Sequence, residues 1–248
     1  MITLKSEHDL EKMRVANRIV RDVLLLMADN VKVGVSTYHL DKLAREYIEK
    51  AGATPSFLNY HGYPASICTS IDDVVVHGIP SDKPLEEGQI VSIDVGACYG
   101  GFHGDAARTF AVGQITREKQ RLIDVTRQSF FEGIKHARAG RRLGDVSHAI
   151  QQHVESNGYA IVRAMTGHGI GRRVHEEPNI PNYGQAGCGV MLKSGYTLAI
   201  EPMVNAGEFK VLIDQGDKWT CRTVDGSPSA HYENTILVRD GEPEILTL

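Results

Sequence analysis

The sequence predicts an α+β fold, built as one domain with two similar halves. Apolar residues follow helical and strand periodicity in the order helices, strands, helices, strands, and no Pro/Ser-rich linker divides the 248 residues. A stretch of the first half also recurs in the second, because EEGQIVSID, residues 86–94, aligns with LKSGYTLAIE, residues 192–201. In both, a glycine is followed six residues later by an acid at the end of an apolar run. We therefore expect residues 1–248 to form a single domain.

The first half is expected to begin with two amphipathic helices and to continue as strands. Residues 10–27 and 40–48 carry apolar side chains at helical spacing, and Gly52 follows the second segment. Short apolar runs bounded by glycine or aspartate then predict three strands, at residues 74–76, 90–95 and 107–112.

The second half repeats this order. Helical periodicity returns over residues 116–136 and 145–155, and Gly158 closes the pair. Strand-like runs follow at residues 160–165, 196–200, 210–213, 219–224 and 235–238.

Composition and charge argue against several classes of protein. A formal net charge of −4 is no signature of nucleic-acid binding. The four cysteines show no C-x-x-C spacing, which argues against a zinc finger or a disulfide framework and fits a reducing, cytoplasmic setting. The longest apolar run near the N-terminus, residues 23–28, is too short for a signal sequence or a membrane span. We expect neither nucleic acid nor a membrane as a partner.

Four carboxylates stand next to predicted strands. Asp94 and Asp105 lie in DVGACYGGFHGDAAR, where each is expected to end or begin a strand and the glycines between them to form a hairpin. Glu201 follows one predicted strand, and Glu233 precedes another. A single aspartate at a strand end is usually a turn or cap residue, but several carboxylates in one pocket repel one another unless cations neutralise them. Together they suggest a site for two divalent ions.

A histidine completes this predicted site. His168 lies in GHGIG, where glycine is expected to let a ligand approach the backbone, and it would add one nitrogen to a set of oxygen ligands. Such a set favours Mn²⁺, Fe²⁺ or Co²⁺ over a structural thiolate zinc site. Four other histidines on helical stretches are expected to be surface or structural residues, namely His8, His136, His148 and His153.

Several motifs together resemble one known family. HGIP, IDVG, GDAARTF, TGHGIGRRVHEEP, AIEPM and YENTILV occur in the order and at the separations of a type I methionine aminopeptidase of the bacterial kind. The resemblance runs from about residue 5 to residue 240, and we expect a bacterial kind of enzyme without the zinc-binding extension of the eukaryotic type I enzymes. It implies the pita-bread fold, a curved antiparallel sheet flanked by helices in two pseudo-symmetric halves. It also implies hydrolytic removal of the initiator methionine from nascent proteins, preferentially before a small second residue.

The resemblance also implies roles for individual residues. The ligands of two divalent metal ions would be Asp94, Asp105, His168, Glu201 and Glu233, with Asp105 and Glu233 bridging the ions. Glu201 would transfer a proton, His175 would stabilise the oxyanion, and His77 would hydrogen-bond the substrate near the scissile amide. The methionine pocket would involve Tyr60, Tyr63, Cys68 and Trp219. The substrate would be the N-terminal methionine of nascent chains; a monomer is expected, and contact with the ribosome is left open.

Two departures and two alternatives accompany this hypothesis. Val174 stands where bacterial members often carry an aromatic residue, and Arg172-Arg173 replaces a more glycine-rich turn, so pocket shape and substrate range are open. A proline-specific relative of aminopeptidase P or prolidase shares the same acids, but usually places a large extra domain before the first aspartate. A metal-free binding protein of the same fold would not need all five ligand positions, which are intact here.

Overall fold

A computed structural model describes residues 2–248. The helices in that range are α1 Glu7–Asn30, α2 Thr37–Lys50, α3 Arg117–Ile134 and α4 Leu143–Ser156. The strands are β1 Thr54–Pro55, β2 Ile67–Ile71, β3 Val74–Val76, β4 Ile90–Tyr99, β5 Phe102–Ala111, β6 Ala160–Ile161, β7 Gly167–Gly169, β8 Glu176–Ile180, β9 Thr197–Ile200, β10 Met203–Asn205, β11 Val211–Ile213, β12 Cys221–Thr223, β13 Ser229–His231, β14 Asn234–Leu237 and β15 Glu244–Ile245. Among the described residues, no helix has the length and apolar character needed to cross a membrane.

In the first half, α1 and α2 cover an antiparallel sheet. Strand β4 pairs with β5 along its whole length, and its other edge pairs with β2 and β1. Serine side chains cap both helices, because Ser6 accepts from the N–H of Asp9 and Ser36 accepts from that of His39. The apolar faces of the helices and of β4 form one core, which includes Val20, Val23, Met27, Leu40, Ile48, Val91 and Ile93.

The second half has the same plan. Helices α3 and α4 pack mainly against β13, β10 and β6, and they share one core with a five-stranded antiparallel sheet in the order β15-β14-β9-β7-β8. Two three-stranded sheets, β13-β10-β6 and β11-β12-β3, complete the described strands. The second core includes Phe130, Ile134, Val146, Ile150, Leu198, Ile200 and Ile236. Two helix pairs, each over an antiparallel sheet, confirm the predicted α+β class and the similarity of the halves.

The first two acids are not at strand ends, so that part of the prediction was wrong. Asp94 lies inside β4 and Asp105 inside β5, since the strands extend towards each other well beyond the apolar runs. The turn consists only of Gly100 and Gly101, both with positive φ, as a two-residue hairpin turn requires. Gly104 belongs to the strand, where a Cβ would lie 2.8 Å from the backbone nitrogen of Asn17 in α1. A glycine needed for helix packing resembled a turn signal in the sequence.

Several short strands escaped prediction. Strands β2, β7, β8, β10 and β13 lack a clear apolar alternation, and they are held by pairing with other strands. Conversely, the strand expected over residues 160–165 is paired only at Ala160–Ile161. Apolar alternation in the sequence indicates a strand only where one face of the strand is buried. These strands instead form because they pair with neighbouring strands in the sheets.

Candidate metal centre

One cavity of about 130 Å³ collects every residue that the sequence nominated for the site. Acids and histidines line one end, and aromatic and sulfur side chains line the other. Its lining consists of Phe57, Tyr60, Tyr63, Cys68, His77, Asp94, Asp105, His168, His175, Glu201, Trp219 and Glu233. Phe57 is the only member of this lining that sequence reasoning did not nominate.

The register of the first sheet places two acids side by side. Asp94 pairs with Ala107 across the β4–β5 ladder, and Asp105 lies two residues before Ala107. Residues at this diagonal share a face of the sheet. Cys68 of β2 pairs directly with Asp94, so its side chain lies on the same face. The sheet therefore presents two carboxylates from the β4–β5 hairpin and a thiol from β2 to one cavity.

The second sheet supplies the other ligand candidates. Asn234 of β14 pairs with Ile200 of β9, so the next pair along this ladder, Glu233 and Glu201, face each other beyond the end of β9. On the other edge of β9, His168 pairs with Ala199. The sequence expectation that Glu201 follows a strand and Glu233 precedes one is confirmed.

A single hydroxyl joins the two sheets at this point. Thr235 Oγ1 donates to the carbonyl of Asp105 at 2.9 Å and accepts from the N–H of the same residue at 3.2 Å. The N–H of Glu233 also donates to the carbonyl of Ala107 at 3.0 Å. These bonds fix the distance between acids that come from different halves of the chain.

The tautomer of His168 suits a metal ligand. Its Nδ1 lies 2.9 Å from the carbonyl oxygen of Gly169, which can only accept, so Nδ1 carries the proton and Nε2 offers a lone pair. That Nε2 lies 3.5 Å from Glu201 Oε1 and 3.8 Å from Asp105 Oδ2. These separations exceed hydrogen-bond length, but they suit atoms that share one cation at about 2.0–2.2 Å each.

The buried acids fit a divalent cation site. One side-chain oxygen of Asp94, of Asp105 and of Glu233 is buried without a hydrogen-bond partner among residues 2–248. Burial raises the pKa of Asp94 to about 6 and that of Glu201 to about 8. Burial, and then the neighbouring acids, raise the pKa of Asp105 and of Glu233 well above the usual range. Carboxylates that resist ionisation and lack donors are satisfied when cations bind them.

The other end of the cavity is apolar and rigid. The Tyr63 hydroxyl donates to the carbonyls of Ile67 and Gly78, which fixes its ring against that of Trp219, with centroids 5.1 Å apart. Val174 is 2% exposed and belongs to the same cluster as Tyr63 and Cys68. The departure noted at residue 174 thus concerns a residue packed behind the apolar wall.

Two further histidines, His77 and His175, line the same cavity as the acids. His175 is exposed at the cavity, its ring centroid is 4.2 Å from that of His168, and its Nδ1 lies 2.7 Å from the hydroxyl of Tyr60. His77 follows β3 with a φ of 60°, a conformation uncommon outside glycine. Strained backbone of this kind clusters at functional sites.

The glycines around His168 have a different purpose from the one expected. A Cβ at Gly167 would lie 2.5 Å from the carbonyl oxygen of Ala199, and one at Gly169 would collide with the carbonyl of Glu177. They therefore admit the neighbouring strands β9 and β8, rather than opening the backbone to a ligand.

Sequence reasoning missed one buried histidine beside the acids. His231 Nε2 lies 3.6 Å from Glu201 Oε2 and 3.9 Å from Glu233 Oε2. The signal that could have found it is its position in HYENTILV, where His231 ends β13 two residues before Glu233. Possible metal-binding triads here are Asp105–His168–Glu233 and Glu201–His231–Glu233.

The raised pKa values predict how the stability of the metal-free protein depends on pH. Glu201, with a pKa of about 8, binds its proton more tightly in the folded than in the unfolded chain, so its contribution to stability falls as pH rises. His168, whose pKa burial lowers to about 3, acts in the opposite sense, but only below the unfolded value of about 6.5. Above about pH 6.5 the raised pKa values of the acids therefore dominate the pH dependence of stability. We expect the melting temperature of the metal-free protein to fall by about 5 °C or more by pH 8.5.

Thermal unfolding with EDTA and with excess Mn²⁺ measures this effect. Added metal should raise the melting temperature more at about pH 8 than at pH 6.5, because cations stabilise the ionised acids. The Glu201→Gln variant is the matched control and should flatten the metal-free pH profile. A metal-free melting temperature that stays constant or rises across this range would contradict the expectation.

Comparisons with known proteins agree with this geometry. Residues 11–240 match the profile of metallopeptidase family M24. A methionine aminopeptidase of Clostridium perfringens is 51% identical, and the alignment covers 100% of this chain and 99% of that relative. The crystal structure of a methionine aminopeptidase from Rickettsia prowazekii is similar with a TM-score of 0.99 at 45% identity, covering 100% of both chains.

A more distant structure shares the fold alone. The prolidase from Pyrococcus furiosus is similar with a TM-score of 0.81 at 20% identity, covering 99% of this chain and 65% of the prolidase chain. Together, the near and distant structures confirm the predicted pita-bread fold.

Proposed function

This chain belongs to metallopeptidase family M24, and we propose that it is a methionine aminopeptidase, which hydrolyses the bond after the N-terminal methionine of peptides and nascent proteins. The observation that carries the proposal is the cavity, in which four carboxylates and an imidazole face an apolar end closed by Tyr63, Cys68 and Trp219. A peptide terminus with an apolar first side chain and a free amine fits this division.

The proposed ligands are the five residues that the motifs indicated. Asp105 and Glu233 would bridge two divalent ions, with the other positions completed by Asp94, His168 and Glu201. The unpartnered buried oxygens and the free lone pair of His168 support this assignment. Four carboxylates and one nitrogen suit manganese, iron(II) or cobalt. When bound, the ions would supply an activated water and polarise the substrate carbonyl.

Protein groups around this centre would handle the proton and the charge. Glu201 lies at the acidic end of the cavity, where it would take a proton from the nucleophile and deliver it to the leaving amine. His175 would donate Nε2–H to the oxyanion that develops on the carbonyl. His77, whose pKa burial lowers to about 4, stays neutral at pH 7 and would hydrogen-bond the substrate near the scissile amide.

The hydroxyl of Tyr60 would determine which nitrogen of His175 is the donor. Partial burial raises the pKa of Tyr60, so its hydroxyl keeps its proton and can donate to Nδ1 across 2.7 Å. The imidazole then keeps its proton on Nε2. We expect Tyr60→Phe to lower kcat about tenfold, in line with the loss of one hydrogen bond, with a small change in KM.

A variant that combines Tyr60→Phe with His175→Ala provides the control for this pair. If Tyr60 acts through His175, then Tyr60→Phe should have no further effect on kcat in a His175→Ala background. Equal losses in both backgrounds, measured with a Met-Ala-Ser peptide, would show that Tyr60 acts independently of that ring.

The decisive experiment is methionine release from a Met-X-Ser series with Mn²⁺, Fe²⁺ or Co²⁺ added to metal-free protein. We expect release to require metal and to be fastest when X is small. Cleavage of an X-Pro peptide without release from Met-Ala-Ser would instead indicate a proline-specific peptidase. A chain that binds no divalent metal and releases no methionine would indicate a binding protein.

The setting of this activity is part of the proposal. We place residues 1–248 in one catalytic domain that acts as a monomer in the cytoplasm, on nascent chains as they leave the ribosome. The absence of C-x-x-C cysteine pairs and the close similarity to bacterial relatives support this setting. Sedimentation and co-sedimentation with ribosomes would test the monomer and the contact.

A further inference from the structure

His231 is a buried imidazole for which the proposed reaction gives no role. Its side chain is 2% exposed, and Nε2 has no hydrogen-bond partner among residues 2–248. The acidic oxygens within 4 Å are Glu201 Oε2 at 3.6 Å and Glu233 Oε2 at 3.9 Å. A buried polar nitrogen without a partner is costly, so its presence beside two acids indicates a partner in the working state.

His231 approaches the acids from behind. Glu201 and Glu233 line the substrate cavity, whereas His231 lines a second cavity of about 300 Å³, together with Arg108, Thr109, Phe110, Arg127 and Tyr232. Cations and substrate would reach the carboxylates from the front. A residue on the far side is placed to hold a carboxylate in position, not to complete the open face of a metal site.

The backbone of His231 is fixed to the first half of the molecule. Thr109 Oγ1 donates to the carbonyl of His231 and accepts from its N–H, both at 2.9 Å. The same hydroxyl group lies 2.8 Å from Ser92 Oγ in β4. Thr235 forms the same pair of hydrogen bonds with the backbone of Asp105. Each half of the molecule therefore supplies one threonine that fixes the backbone of a residue at the acid cluster in the other half.

The two oxygens of Glu201 face different imidazoles. Oε1 lies 3.5 Å from His168 Nε2, whose lone pair faces it, an arrangement that a cation between the two atoms would satisfy. Oε2 lies 3.6 Å from His231 Nε2, and an approach of about 0.6 Å would bring this pair to hydrogen-bond length. In the neutral tautomer with the proton on Nε2, His231 is a donor matched to an acceptor-only carboxylate.

We propose that His231 is a positioning residue that donates Nε2–H to Glu201 Oε2 and thereby turns Oε1 towards His168 and the cations. The inference rests on the proposed metallopeptidase function, because it assigns the orientation of a carboxylate that function uses. It adds a group outside the five proposed ligands and the four proposed pocket residues.

The test compares His231→Leu with His231→Gln, whose amide keeps an N–H donor, and with His8→Leu as a control at an exposed imidazole on α1. The readouts are Co²⁺ affinity by titration calorimetry, the visible spectrum of the Co²⁺-loaded protein, and kcat and KM for Met-Ala-Ser. We expect His231→Leu to lose about 10- to 100-fold in metal affinity or kcat, with KM changed less than about threefold and two ions still bound at saturation. His231→Gln should recover most of that loss.

Each other outcome overturns the inference. Parent-like affinity and kcat in His231→Leu would mean that the imidazole has no such role. Loss of one bound ion with an altered Co²⁺ spectrum in both variants would make His231 a metal ligand, and failure of Gln to recover the loss would exclude a donor role. If Leu prevents folding, Gln alone still decides, because a donor predicts two ions and a ligand predicts one. If the parent protein binds no metal, the proposed function itself is wrong. If the parent is active and the variants match it in metal affinity and kcat, only this inference is wrong.

Discussion

Asp105→Asn is expected to lower kcat for Met-Ala-Ser by more than about 10³-fold and to reduce bound metal from two ions towards one. Asp105 is 3% exposed, one of its oxygens is buried without a partner, and the other lies 3.8 Å from His168 Nε2. An amide has the same shape but no charge and a single acceptor oxygen, so it cannot bridge two cations. Metal content by mass spectrometry and turnover under saturating Mn²⁺ measure the effect.

Stability separates this loss from misfolding. Because burial and neighbouring acids disfavour the ionised form of Asp105, the neutral amide should leave the metal-free melting temperature at pH 8 unchanged or higher. Asp82→Asn is the matched control, because Asp82 is exposed and remote from the cavity lining. Full activity with normal metal content in Asp105→Asn would refute the two-ion site.

His175→Ala is expected to lower kcat by about 10²- to 10³-fold, as the removal of one oxyanion donor does, while both metal ions stay bound. The ring packs edge-on against that of His168, with centroids 4.2 Å apart, but it belongs to neither set of candidate ligand atoms. Removing it should therefore weaken the stabilisation of the charge that develops on the substrate and leave the metal centre intact. Metal titration beside steady-state kinetics separates the two effects.

The control for this variant is His39→Ala, at an exposed histidine on α2. It should match the parent in kcat and metal content. Unchanged turnover in His175→Ala would remove the assigned oxyanion role. A parallel loss of metal would instead make that histidine part of the metal centre.

Prediction from sequence succeeded where the signal is local. Helical periodicity located all four helices to within a few residues, because each buries one continuous apolar face. It failed for the strands around the site. Strand β7 is only Gly-His-Gly, and β5 begins at Phe102, five residues before the predicted start at residue 107, because pairing with the neighbouring strands extends both beyond the apolar runs.

The candidate site divides in the same way. Motif residues such as Asp94 and His168 are visible in the sequence because they stand in runs with a family resemblance. The expectation that glycine exposes His168 to a ligand did not hold, since those glycines admit strands β8 and β9. His231 carries no motif signal of its own, and only its distance from Glu201 identifies it.

The sequence by itself determined the alternation of helices and strands, and its motifs nominated the five candidate ligands, because these depend on local periodicity and on residue type. Only the tertiary structure decided which carboxylate oxygens face which imidazoles, because that depends on the β4–β5 register and on the hydroxyls of Thr109 and Thr235 that join the two halves. A one-residue change of register would turn Asp105 to the opposite face of its sheet.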